Sequence, residues 1–410
     1  MKTDSDALGP NPPPSWERDL VKDHPADASS ARFRPGKGLE FKSADGRFAL
    51  VTRLRGQFRY EYEGVAGGPD EEVFHIRRAR LQFVGNMWGK HNTFKIELAF
   101  SPRDEDLTQP TVVLQDPTGM GMGVTGTTRS NVVGTTPLLD WYMTFDYLRD
   151  LTLRVGQYKV PYSRQRVISS GNLQFVDRAI TNGEFTLDRD LGLDFRSKDL
   201  LGLGLFRYYA GVYIGEGRNT SDRTPGAGDL GLMYLIRFEL LPFGMFKDYS
   251  EADFERTAKP RLSLGVGYAY LQNAPGVQGI KGRAPEADDD TFHNANADLL
   301  FKYAGLSVLG DFYWRDGRGG TDLADGIGWM LQGGYLLPGM ALELGARFGM
   351  TRPGGDASVL KGKNELGIVG GYYFARHPFK LQADLFQLWG YGEQRSQGVV
   401  RLRVQLQAAF

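Results

Sequence analysis

The chain is written almost throughout in period two, and in runs too long for an ordinary sheet. Residues 48–62, FALVTRLRGQFRYEY, put Phe48, Leu50, Leu54, Phe58, Tyr60 and Tyr62 in one phase and Arg53, Arg55, Arg59 and Glu61 in the other. Such alternation marks a strand with one apolar and one charged face. The same writing returns at Leu139, Trp141, Met143, Phe145 and Tyr147 against Asp140, Thr144 and Asp146, and at Leu402, Val404, Leu406, Ala408 and Phe410 against Arg401 and Arg403. Together the runs predict about sixteen strands, near 46–62, 71–87, 91–100, 137–147, 150–161, 190–198, 203–215, 228–241, 260–273, 290–303, 305–315, 325–337, 340–351, 362–375, 378–391 and 397–410. No amphipathic helix of ordinary length competes with them. Many runs last ten residues or more, where soluble sheets use ~5–6 and a tilted strand needs ~9–11 to cross a bilayer.

The connections between the runs alternate in length. Long segments (101–136, 162–189, 216–227, 274–289) follow odd-numbered strands, and short turns near Gly89, Arg149, Gly305, Gly339 and His377 follow even-numbered ones. That asymmetry belongs to outer-membrane barrels, with long loops outside and short turns on the periplasmic side. Residues 242–259 are too long for their side, which suggests a small periplasmic feature or a shifted pairing. Aromatics gather near strand ends, at Tyr60, Tyr62, Trp88, Trp141, Tyr208, Tyr209, Trp314, Trp329, Tyr372, Tyr373, Trp389 and Tyr391, as an interfacial girdle requires. A set of long half-apolar strands without covering helices satisfies its edges most simply by closing. The expected fold is therefore an all-β, transmembrane antiparallel β-barrel of about sixteen strands, with its apolar phase toward lipid and its arginines toward the lumen.

Composition is compatible and removes other classes. No stretch approaches the ~18 apolar residues of a membrane helix. Lys+Arg and Asp+Glu are 49 each, so no bulk charge favours nucleic acid. There are no cysteines, hence no thiolate metal site or nucleophile. The opening MKTDSDALGP lacks the apolar core of a secretory signal, which fits either a cytosolic chain or a mature one whose signal has been removed. Residues 1–45, rich in Pro and charge, read as an extended periplasmic arm or linker with a short helical turn near 16–22, and 46–410 as the barrel. Gly121–Gly126 spells GxGxxG but sits in a Thr- and Gly-rich loop rather than between strand and helix. The five histidines are scattered without metal-ligand spacing. The runs 104–106 and 288–290 read as solvated acidic loop tips before calcium sites. RRAR at 77–80 lies within a strand, and no serine, histidine and carboxylate assemble into a catalytic group. No cofactor, metal or enzymatic activity is expected.

Three segments carry a resemblance: HIRRARLQFVG (75–85), LTLRVGQYKVPYS (151–163) and LDRDLGLDF (187–195), in that order and with a terminal Phe410. They resemble the phosphate-selective porin O and P family of bacterial outer membranes, and Gly156-Gln157-Tyr158-Lys159-Val160-Pro161 is the most specific of them. The resemblance implies a homotrimer among outer-membrane lipid and lipopolysaccharide, a third extracellular loop folded into the lumen, and passage of small anions such as phosphate or pyrophosphate past arginine and lysine. It also implies that Phe410 is read by the barrel-assembly machinery.

The inward phase holds Arg53, Arg55, Arg59, Arg78, Arg80, Lys95, Arg154, Arg196, Arg207, Arg237, Lys302, Arg315, Arg347, Lys380, Arg401 and Arg403. Facing them in the same phase are Glu61, Glu97, Asp140, Asp146, Asp190, Asp194, Glu239, Asp298, Asp311, Glu343, Glu365 and Asp384. Closure brings Arg401 and Arg403 beside Arg53, Arg55 and Arg59, which adjoin Arg78 and Arg80, so a basic wall is expected; a bulge is expected near Arg77, where the apolar phase switches. Guanidinium forks suit phosphate oxygens, and several weak sites in series let an anion leave again. Loop 162–189 is the expected constriction, bringing Arg164, Arg166, Arg178 and Arg189 with Asp177, Glu184 and Asp188; with Lys159 and the wall these complete the anion-binding, pore-lining set. The competing readings are a weakly selective general porin, whose lumen charges simply pair, and a barrel plugged by its loop in a structural or envelope role.

Overall fold

A computed structural model describes residues 29–101, 104, 137–219, 231–280, 290–320 and 322–410. The turn expected at 16–22, the glycine-rich 121–126 and most of the two acidic runs lie outside the described residues. Among the described residues eighteen strands form one antiparallel sheet. The first two, β1 (Ser30–Arg34) and β2 (Gly38–Lys42), make a hairpin. Then follow β3 (Ala49–Val65), β4 (Glu71–Asn86), β5 (Asn92–Ala99), β6 (Leu138–Phe145), β7 (Thr152–Lys159), β8 (Arg189–Ser197), β9 (Phe206–Tyr213) and β10 (Met233–Leu240). The ring continues with β11 (Arg261–Leu271), β12 (Thr291–Tyr303), β13 (Leu306–Arg318), β14 (Gly326–Leu336), β15 (Leu342–Pro353), β16 (Lys363–Ala375), β17 (Phe379–Gly390) and β18 (Val399–Ala409). Each of β3 to β18 pairs with its sequence neighbour and β18 returns to β3, so sixteen strands close a barrel with no free edge, the condition for sheet structure in lipid.

The sidedness is inverted relative to a soluble core. In β10, Met233, Leu235, Arg237 and Glu239 are buried while Tyr234, Ile236, Phe238 and Leu240 are exposed. Val266 is 62% exposed, Ile368 61% and Leu344 53%, whereas Arg237 is 1% and Gln382 1%. Apolar side chains facing out with charges facing in is the arrangement a bilayer selects. Trp88, Tyr147, Tyr303, Tyr372 and Phe374 are exposed near the short turns, and Phe74 and Tyr391 near the long loops, as girdles at both interfaces require. Tyr209 and Tyr373 depart from the expected girdle. They point inward, Tyr373 hydrogen-bonding to Glu343, because they share a phase with the lumen charges.

Two features of the wall bear on the interior. The register of β3 and β4 slips so that Gln57 faces Arg78 and Phe58 faces Ile76; Arg77 is the extra residue of a bulge, and Arg77 and Arg78 are both buried on the inner side. Second, β3 is 17 residues long, and β18 covers only its outer part. Its first residues pair with β2, Leu39 opposite Thr52 and Lys42 opposite Ala49, so the hairpin continues the wall past the C-terminus and satisfies an edge that would otherwise stand open. Residues 30–34 and 38–42, within the segment read as an extended arm or linker, are thus strands joined by a turn.

The interior is filled from both ends. Residues 160–188, between β7 and β8, form two short helical turns, Arg164–Val167 and Ile180–Phe185, and bond to inward side chains around the ring. Gln174 Nε2 donates to Glu343 Oε1 (2.7 Å), the Val176 amide to Asp384 Oδ2 (3.1 Å) and the Ile180 amide to Glu365 Oε1 (3.2 Å). From the short-turn side, residues 241–260 enter with Asp248, Glu251 and Asp253 buried, and the Gln174 amide donates to Glu251 Oε2 (2.7 Å) where the two segments meet. Around the outer half of β7–β13 an apolar cluster of Tyr162, Phe185, Leu187, Tyr213, Met233, Leu271, Phe292 and Tyr313 occupies the lumen. Phe185 stacks on Tyr313 at 5.6 Å and lies against Gly328, where a Cβ would come within 2.6 Å of its ring. We therefore expect Gly328→Leu to push the second helical turn off the wall and raise single-channel conductance; an unchanged conductance in planar bilayers would show that Phe185 does not hold the segment in place.

Candidate permeation path

The bonds of the 160–188 segment fall into two halves of unlike charge. On the β9–β13 side Arg164, Arg207, Arg237 and Arg315 each have a carboxylate in reach. Arg164 Nε meets Asp298 Oδ1 (2.8 Å), its Nη1 meets Asp248 Oδ2 (2.8 Å) and its Nη2 lies 3.6 Å from Glu239. Arg237 pairs with Asp298 (2.7 Å) and Glu239 (2.9 Å), and Arg207 with Asp248 (2.7 Å). Burial works against the Arg164 charge, but Asp298, Glu239 and Asp248 outweigh it and keep the guanidinium firmly protonated. This cluster is matched in charge and clamps the segment 160–188 to the turn 241–260. Arg164 is therefore an anchor, not a free lining charge.

The opposite side, made by β17, β18, β3, β4 and β5, keeps two cavities. The outer one, about 480 Å³, is lined by Arg59, Arg77, Arg166, Arg178, Arg347, Arg401 and Arg403 with Glu61, Asp177, Asp188 and Glu365, seven cationic side chains to four carboxylates. The inner one, about 320 Å³, is lined by Arg53, Arg55, Arg80 and Lys95 together with Tyr142, Ser169, His377 and Gln407, and its described lining holds no carboxylate. Between them residues 170–177 are stitched to the wall. Gln57 Nε2 donates to the Ser170 carbonyl (3.2 Å) and to Gln407 Oε1 (2.6 Å), Gln407 donates to the Gly171 carbonyl (3.1 Å), and Arg59 reaches the Val176 carbonyl (3.2 Å) and Asp177 (3.0 Å). Low-dielectric walls around such cationic cavities concentrate the field.

The remaining lining arginines differ in how they are held. Arg55 donates to Ser169 Oγ (3.0 Å) and Ser170 Oγ (3.1 Å) and lies 4.0 Å from Glu97. Arg53 is out of reach of β18 and donates to the Lys37 carbonyl of the hairpin (2.9 Å). Arg80 makes a two-pronged pair with Asp104 (2.7 and 2.8 Å), so Asp104 is a buried partner rather than a solvated loop tip. Lys95 bridges Glu97 and Asp140, both at 2.6 Å, and Arg189 binds Asp140 (2.6 Å). Arg154 stacks 4.2 Å over Tyr142, while Lys159 and Arg178 cap backbone carbonyls of the 160–188 segment. Arg166 pairs with Asp188. Arg401 meets Glu63 (2.5 Å) and Arg403 meets Asp384 (2.8 Å); opposite them on β3 stand Glu63 and Glu61, and Gln405 and Gln407 face Arg59 and Gln57. The wall is accordingly arginine interleaved with glutamine and glutamate, not an uninterrupted basic ladder. Arg77 joins the set through the bulge, and the backbone of the family-like stretch fits only glycine at 156: its φ is +129°, and a Cβ there would meet the backbone of Trp141 and Tyr142 in the next strand.

Residues 51–229 match the phosphate-selective porin O and P family. The chain is an outer-membrane porin. No curated protein matches it by sequence. Among solved structures, the anion-selective porin from Comamonas acidovorans shares the porin's fold at a TM-score of 0.53 and 12% identity, covering 88% of this chain and all of the other (100%). The outer membrane channel DcaP of Acinetobacter baumannii does so at 0.52 and 13%, covering 88% and 97%. OmpT of Vibrio cholerae in its trimer form does so at 0.50 and 10%, covering 88% and 99%. At these identities the likeness is one of architecture: a closed antiparallel barrel of sixteen strands.

Proposed function

We propose that the porin passes small hydrophilic anions, of the phosphate or pyrophosphate kind, along the β17–β18–β3–β4–β5 side of the lumen, and that it works as a homotrimer. The observation that carries this reading is the charge split of the interior. The β9–β13 cluster is matched one for one, whereas on the other side the described cavity linings hold more cationic side chains than carboxylates, with Glu63, Asp384, Glu97, Asp104 and Asp140 paired behind them. Fixed guanidinium charges replace part of an anion's hydration shell, and cavities in series keep each binding step weak enough for release. The pore performs no chemistry. The side-chain bonds across the stitch favour small solutes, and they also keep the plugged-barrel reading in play. Planar bilayers under a chloride salt gradient separate the readings. We expect discrete conductance steps and a reversal potential of the sign set by chloride. A cation-selective sign would overturn the anion preference, and an absence of steps would favour the plug.

A further inference from the structure

On its lipid-facing side, the long-loop end of the wall carries opposite charge on two neighbouring stretches. Around the β15–β16 and β17–β18 turns stand Arg352, Lys361, Lys363 and Arg395. Arg352 shares the outward phase of Leu344 and Phe348, and Trp389 that of Leu381 and Leu385. Arg352 lies 4.3 Å over the Tyr391 ring and donates to Asn364 Oδ1 (2.7 Å), and Arg395 lies 4.8 Å over Trp389. These partners are neutral, and among the described residues none of the four cations forms an ion pair. The acids of the same turns are Asp356 and Glu393, and Glu393 is folded back onto the Gly390 amide (2.8 Å). At the β3–β4 turn the sign reverses. Glu72 stands opposite Tyr62, in the outward phase of Phe74 and Ile76, and Tyr62 donates to Asp70 Oδ2 (2.9 Å). The described partners of both carboxylates are tyrosine hydroxyls, Tyr60 serving Glu72. By contrast, Arg318 and Asp316, outward at the same end of β13, neutralise each other (2.8 Å).

We propose that the two stretches are the two halves of one subunit contact, in which the basic turns of one porin meet Asp70 and Glu72 of the next copy around a three-membered ring. The inference rests on the homotrimer reading and names the part of the wall that makes the contact. A closed ring of three is built from heterologous contacts, so each subunit needs two different and complementary patches. From the centre of one subunit its two neighbours lie about 60° apart. The basic stretch centres between β16 and β17 and the acidic one between β3 and β4, and β18 joins β3. The two are therefore three strand spacings apart, about 65–70° around a ring of sixteen strands. Lipid alone fits only half of this surface, because anionic headgroups suit Arg352 and Arg395 but are repelled by Asp70 and Glu72. A second copy satisfies both. Leu385, Val400, Phe58 and Phe74 are exposed between the stretches and supply apolar contact area, while the charges fix which strands face which.

The chain has no cysteine, so disulfide cross-linking of the full-length porin in mild detergent has no background. Oxidation of the double variant Arg395→Cys with Glu72→Cys is expected to give covalent dimers and trimers on denaturing gels, at least about tenfold above either single variant, because like patches do not meet in a heterologous ring. A second measurement uses charge. Asp70→Lys with Glu72→Lys should lower the fraction of trimer surviving in detergent at low salt by at least about threefold, and adding Arg352→Glu with Arg395→Glu to the same chain should restore it. Light scattering of the unaltered porin reports on the trimer independently. A trimer whose double cysteine variant cross-links no better than the single ones, or whose charge reversal is not restored by the exchange, would overturn this contact and leave the trimer standing. A monomer would overturn both. Loss of copurifying lipopolysaccharide phosphate from Arg352→Glu with Arg395→Glu, with the trimer unweakened, would give the basic turns to lipid and likewise overturn the proposal.

Discussion

Replacing Arg164 by Met, which retains the length of the side chain and discards its charge, is expected to release the inner segment from the β9–β13 wall and enlarge the pore. Arg164 is wholly buried. Its loss leaves Asp298, Asp248 and Glu239 short of the cation that joins the segment to the turn 241–260. Breaking a buried pair from one side costs ~3–5 kcal/mol; Arg237 and Arg207 still serve the same carboxylates, which places this case near the lower end. That is enough to convert a docked segment into one that samples open positions, since ~1.4 kcal/mol already changes an equilibrium tenfold. Two measurements register the outcome: single-channel conductance, expected to rise with noisier open levels, and protease cleavage between residues 160 and 188, expected to appear under conditions where the unaltered protein resists it. Unchanged conductance together with unchanged resistance would show that the ion cluster is not what holds the segment.

How far this arrangement could be read in advance depends on the range of the forces behind it. The strands were legible because a bilayer imposes a strict alternation on each of them, and Arg237 and Glu239 against Ile236 and Phe238 show it within a few residues. The bulge at Arg77 was legible for the same reason, as a local change of phase in β4. The inner phase of Met233 and Leu235 is equally local, but its meaning is not: these residues are buried because Phe185 and Leu187 come back from another part of the chain to cover them. The turn 241–260 was marked only by its length, since its inward course depends on Lys302 capping the Lys247 and Ala252 carbonyls (2.9 Å each) from a strand some fifty residues away. The β1–β2 hairpin gave no periodic signal over five-residue strands. It forms because β3 outruns β18 and needs a partner. Among the candidate site residues, the inward phase could be read for Arg55, Arg59, Arg78 and Arg80, but not which of them would find a carboxylate. That was settled by where Asp104 and Asp177 arrive.

The same distinction decides where selectivity is most easily altered. Arg80 and Lys95 each hold buried acids, so their removal would mix a change of field with the exposure of unpaired carboxylates. Among the described residues, Arg53 and Arg55 are held chiefly by neutral groups. Arg53 donates to a backbone carbonyl and Arg55 to two serine hydroxyls, and Glu97, the acid 4.0 Å from Arg55, keeps Arg80 and Lys95. In the inner cavity they supply two of the four described cationic side chains. A unit charge at ~6 Å in water acts on a passing monovalent ion with roughly 0.7 kcal/mol. Because each charge favours an anion and disfavours a cation by that amount, Arg53→Gln with Arg55→Gln removes about 2.8 kcal/mol of preference, which corresponds to a roughly hundredfold fall in the anion-to-cation permeability ratio at low salt. Screening supplies an internal control: the Debye length falls from ~10 Å at 0.1 M to ~3 Å at 1 M, so the difference between the variant and the unaltered porin should shrink strongly in concentrated salt, whereas a change in pore width would persist. A permeability ratio unmoved at low salt would place the ion path away from the inner cavity and against some other part of the wall.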